Sequence, residues 1–165
     1  MKRSEATLEE SRVLNPAFSG ALIARAAMGY SGEASEGLPF IYAYLILPFV
    51  LHEETRLRLP NAIVTRLITW TERNADLVAY FPRRLNDLSP ATREGLLLIT
   101  TTDVASVGTR GCIIVNAASR VLTKLEKTTK SNEVADCMKR AHFVGRWLAT
   151  SGTIPTVLSS LGVRL

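Results

Sequence analysis

Between Leu38 and Leu51 the chain is apolar on every helical face and is interrupted only by Pro39 and Pro48. A helix that is hydrophobic all round belongs either at the centre of a domain or in a bilayer. This run is shorter than the roughly twenty residues that a membrane-spanning helix needs. It therefore reads as a buried central helix around which the other elements must pack, with Pro48 expected to kink or divide it. At 165 residues the chain is long enough for one such core and too short for two independent ones.

The flanking pattern supplies the packing elements. Residues 1–13 are polar and are expected to form a flexible N-terminal segment; residues 14–165 form the folded domain. Asn15 can cap a helix that opens on Pro16 and carries Phe18, Leu22, Ala26 and Tyr30 on one face, with Gly29 and the loop 31–37 ending it. Residues 52–60 read as a short polar helix stopped by Pro60. A three–four stripe then runs through Ile63, Leu67, Trp70, Leu77, Phe81, Leu85 and Leu88, interrupted at Asn74 and bent at Pro82. Ser89-Pro90 reads as a new cap and first turn for a helix reaching Thr101.

Val104–Val107 and Cys112–Val115 are β-prone runs on either side of Gly108-Thr109-Arg110-Gly111, a hairpin signal near 104–115. A helix over 117–125 and a polar loop over 127–132 follow. Val134, Cys137, Met138, Ala141, Gly145 and Leu148 then make an apolar stripe in which Ala141 and Gly145 suit close approach by a neighbour. Pro155 starts a last short helix that buries Leu158 and Leu161. The fold class expected is mainly α, a single helical domain with a small β-hairpin, and the order helix, hairpin, helix is winged-helix-like.

Catalytic chemistry is missing from this pattern. The sequence holds no glycine-rich phosphate loop ending in Lys-Ser or Lys-Thr, no dinucleotide fingerprint and no nucleophile elbow. His52 and His142 stand at no metal-ligand spacing from each other or from a cysteine. Glu53 and Glu54 beside His52 diverge around a helix rather than converge. No catalytic residue, metal or cofactor is expected. Cys112 and Cys137 make no disulfide framework, and the start of the chain lacks the apolar core of a signal peptide, so a cytoplasmic location is expected.

The formal charge of +5 and pI near 9.6 allow contact with nucleic acid or with acidic protein. The helix before the hairpin offers Arg93 and then leucines, which cannot read base edges. Arg83, Arg84 and Arg110 remain as candidates for non-specific contact with a phosphate backbone. A winged-helix DNA-binding regulator is thus the alternative function.

The ordered motifs Asn15-Pro16, Tyr44-Leu45-Ile46-Leu47-Pro48, Leu51-His52, Thr55-Arg56 and Leu59-Pro60 are followed by Trp70, Arg84, Thr92, the hairpin at Gly108, Gly145-Arg146-Trp147 and Leu161-Gly162-Val163. Together they resemble the middle component of bacterial three-component ABC ATPase systems. The resemblance implies a cytoplasmic, non-catalytic subunit that bridges an ABC ATPase of the structural-maintenance or DNA-repair type to an effector in anti-phage or anti-plasmid defence. It implies no membrane role. Within the matching motifs His52, Thr55 and Arg56 are polar and are the candidate partner-binding residues, on the expectation that their short helix is an exposed platform. Pro48, Leu59, Pro60, Gly145 and Trp147 are expected to mark the fold.

Overall fold

The computed structural model describes residues 15–120, 122–124 and 131–164. Helix α1 (Pro16–Ala34) opens as the sequence indicates, with Asn15 Oδ1 accepting from the Ala17 amide at 2.9 Å. It does not stop at Gly29. It continues to Ala34 and ends with Ser35 in the left-handed region. Strand β1 (Leu38–Pro39) and helix α2 (Phe40–Val50) follow, and Pro48 leaves α2 undivided. Every residue of α2 from Leu45 to Val50 is buried. No helix among the described residues is long and apolar enough to cross a membrane.

Next come α3 (Glu53–Leu57), α4 (Leu67–Arg73) and α5 (Ala75–Ala79), with Asn74 separating the last two. Helix α6 (Phe81–Thr101) departs from expectation at both prolines. Pro82 sits in its first turn rather than bending it, and Pro90 lies inside it rather than opening a new helix. The proline removes one main-chain bond, to the carbonyl of the exposed residue Asn86, which water can replace. Ser89 Oγ, expected to cap forward, instead donates back to Leu85 O at 2.8 Å.

The hairpin forms from β2 (Ala105–Val107) and β3 (Cys112–Val115), paired Ala105 to Val115 and Val107 to Ile113. Gly111 turns it with φ +68°. The sheet has a third strand, in the order β1-β3-β2, because Leu38 and Pro39 pair antiparallel with Ile113 and Cys112. Arg120 and residues 122–124 are helical, within the span expected for a helix over 117–125. Residue 125, most of the loop expected at 127–132 and the segment 1–13 lie outside the described residues. Helix α7 (Asn132–Ala149) and helix α8 (Ile154–Ser160), capped by Thr153, close the chain.

Two features hold the helices in place. The first is close approach: a Cβ on Gly145 of α7 would stand 1.9 Å from the Ala26 carbonyl oxygen of α1, and one on Gly29 would stand 2.1 Å from that of His142. Gly20 and Gly95 do the same between α1 and α6. Helices that meet backbone to backbone have no room for a side chain between them.

The second is an aromatic cluster. Phe49 of α2 lies 4.8 Å from Phe81, 5.8 Å from Trp70 and 5.9 Å from Trp147 between ring centroids. Both indoles donate outward, Trp70 to Arg58 O at 2.8 Å and Trp147 to Thr65 O at 2.7 Å. These bonds fasten the irregular chain between α3 and α4 to the core. Trp147 and Gly145, two residues of one triplet, thus both serve packing.

Candidate functional site

The C-terminal end of α2 sets the geometry of the residues after it. The last carbonyls of a helix have no partner within it and carry partial negative charge. Val50 O is met here by Arg56 Nη1 at 2.7 Å and by the Cys137 thiol at 3.8 Å. Burial pushes that thiol up to about 11. Arg56 turns its other nitrogens to α7, with Nε donating to Asp136 at 3.0 Å and Nη2 to Glu133 at 3.3 Å.

Arg56 is therefore 4% exposed and Thr55 0%, and the expected exposed polar platform does not exist at these two residues. Arg56 is the joint between α2, α3 and α7. Its partners lie 77 and 80 residues further along the chain, and local sequence carries no signal of them.

Thr55 is the middle of a relay. Arg84 Nη2 donates to Thr55 Oγ1 at 3.3 Å, and Thr55 Oγ1 lies 2.8 Å from His52 Nδ1. The Thr55 amide also points at Nδ1, at 3.3 Å, so His52 is the N-cap of α3. Nδ1 accepts in both contacts, which places the neutral ring's proton on Nε2. Burial, and then the charge of Arg84, hold His52 below the ordinary 6.5, with Glu54 opposing. His142 is lowered likewise by burial and by Arg146 and Arg25, with Glu33 opposing.

A consequence for stability follows from the sign of these shifts. A histidine whose folded value lies below its unfolded value contributes fully above about 6.5, and the contribution is lost as the pH falls toward the folded value. Stability measured by denaturant titration should decline as the pH drops below 6.5. His52→Asn keeps a cap acceptor and should make that decline shallower. An unchanged slope would show that His52 stays uncoupled from folding.

His52 and Arg84 line one surface groove of about 430 Å³ together with Glu54, Asp76, Leu77, Tyr80, Arg83 and Asp87. His52, a candidate for partner contact, and Arg83 and Arg84, candidates for phosphate contact, thus line the same groove. Arg58, exposed on α3's end, binds both Glu54 and Asp76, the latter at 2.9 Å, and its hydrogen bond holds the Asp76 carboxyl below the usual range. Arg84 donates besides to Leu77 O at 2.9 Å and lies over the Phe81 ring at 5.8 Å. No carboxylate pairs with it among the described residues, and its Nε is buried without an acceptor.

Arg110 does not join this groove. It sits at the hairpin tip, 3.9 Å from Glu36. Arg146 is likewise occupied, by Glu33 at 2.7 Å. Tyr80 and Asp87, which sequence reasoning missed, enter the groove because α5 and α6 meet at Tyr80. The break at Asn74 and the opening of α6 at Pro82 were the available signals.

Comparison with known proteins gives one family. The model of the ABC-three component (ABC-3C) system Middle Component 3 matches residues 3–165. No curated protein and no solved structure matches the chain. With the match running through α1, the groove, the hairpin and the Gly145-Arg146-Trp147 helix alike, the chain belongs to the ABC-three component system Middle Component 3 family.

Proposed function

We propose that this chain is a non-catalytic bridging subunit, joining the ABC ATPase of a three-component system to an effector that acts in defence against phages or plasmids. The observation that carries the reading is membership of the middle-component family over residues 3–165. Two features support it. The sequence lacks the phosphate loop that an ATPase of the common class needs, so nucleotide chemistry falls to a partner. The groove at His52, Arg83 and Arg84 carries hydrogen-bonding and charged groups on a surface built from α3, α5 and α6, as a docking site requires.

The test is pairwise binding of the purified chain to each of the two proteins encoded with it. Both should bind separately, with dissociation constants of about a micromolar or tighter, and the chain alone should turn over no ATP. Binding to one component only would leave nothing to bridge. ATP turnover that persists through further purification would make the chain an enzyme.

A further inference from the structure

We propose that the groove lined by His52, Leu77, Tyr80, Arg83, Arg84 and Asp87 receives an acidic side chain of a protein partner, with Arg84 and Arg83 as the cations that take its carboxylate. The inference rests on the bridging reading and adds to it the place and chemistry of one contact.

Arg84 carries the argument. Its guanidinium is partly withdrawn from water, yet the acceptors it has, Leu77 O and Thr55 Oγ1, are neutral, and its Nε has none. A desolvated cation without an anion is costly unless something compensates it. The nearby carboxylates offset this only in part: the charge of Glu54 opposes the effect of burial on Arg84, but Glu54 and Asp76 are both bonded to Arg58. Arg83, one residue away, is exposed and has no ion-pair partner among the described residues. An arriving carboxylate would meet Arg83, whose planar fork is free to donate, and Arg84, whose Nη2 is already engaged by Leu77 O and Thr55 Oγ1 and which adds its positive charge on the same groove.

The same walls disfavour nucleic acid. Glu54, Asp76 and Asp87 stand on the groove, and a backbone carrying a phosphate at every nucleotide would meet them as well as the arginines. A single carboxylate fits between them. Tyr80, 62% exposed, supplies the apolar contact that a protein side chain uses and a phosphate does not.

The experiment uses the full chain and reads the His52 ring by NMR, assigned against His142→Asn, since these are the two histidines. An otherwise uncharged peptide carrying a single glutamate should shift the His52 signal saturably and leave His142 unmoved. Arg83→Glu, at an exposed residue, should keep the thermal melt and weaken the peptide by about tenfold or more. Asp87→Asn removes a repelling charge and should tighten it. A His52 signal that ignores the peptide overturns the assignment, as does a short DNA duplex that moves it at lower concentration than the peptide.

Co-expression with the two companion proteins separates this claim from the broader one. Recovery of the wild-type assembly with equal recovery for Arg83→Glu overturns the groove and leaves bridging intact. Peptide binding without any assembly overturns bridging and leaves the groove assigned. Loss of assembly on Arg83→Glu alone supports both.

Discussion

Gly145→Ala should lower stability by about 3 kcal/mol, the upper end of the range for overpacking a core, and the melting temperature by roughly 6–12 °C for a chain of this size. The added methyl would lie 1.9 Å from Ala26 O and 2.7 Å from its carbonyl carbon. Backbone cannot rotate aside as a side chain can, so α1 and α7 must separate, and the Phe49, Trp70 and Trp147 cluster at the end of α7 must loosen with them. Gly32→Ala is the matched control. It lies in α1, three residues beyond Gly29, and its Cβ would meet nothing within 4 Å. With the helix preference of alanine unopposed, it should stabilise by about 0.5–1 kcal/mol. Thermal melts of the two variants test the reading by sign. Similar melts would mean that the helices do not meet at Gly145 as described.

Arg56→Glu should cost about 3–5 kcal/mol, the scale expected when a charge is left buried without its counter-ion. The new carboxylate would face Val50 O, Glu133 and Asp136, all acceptors. Glu133 and Asp136, 71% and 42% exposed in their side chains, can turn to water. The carbonyl at the end of α2 cannot. Arg56→Met removes the charge without adding an opposite one and should cost about 1–3 kcal/mol, the penalty of leaving the buried Val50 carbonyl with only the weak thiol donor of Cys137. Denaturant titrations of both variants check the order. If Arg56→Glu keeps wild-type stability, the buried joint is wrong. Loss of complex assembly in this variant is accordingly a sign of unfolding, to be read only beside its melt.

Where neighbours in sequence decide the conformation, the residues were readable. Asn15-Pro16 opens a helix because the cap oxygen and the missing proline N–H act within one turn. The apolar run after Leu38 is buried because no face of it can meet water. The hairpin follows from two β-prone runs and a glycine at positive φ. Local rules failed where distant packing overrode them. Gly29 looks like a helix end and is a contact with α7. Ser89-Pro90 looks like a cap and lies inside α6, because an exposed proline costs the helix one bond that water replaces. Leu38 and Pro39 reveal nothing of their pairing with β3 until the chain is folded.

The site divides in the same way. His52 and Thr55 cap α3 through a local i,i+3 contact that the sequence allows. Arg56, read as exposed from its polar neighbours, is drawn inside by α7. The groove needs α3, α5 and α6 side by side, and only the fold joins them.

The central claim is that the chain links two proteins that do not otherwise meet, and omission tests it most directly. The ABC ATPase and the third component of the system should be expressed with and without this chain, purified through a tag on the ATPase, and sized by light scattering. The account predicts one assembly containing all three proteins when the chain is present, and an ATPase free of the third component when it is left out. Equal recovery of the third component in both preparations would contradict a bridging role.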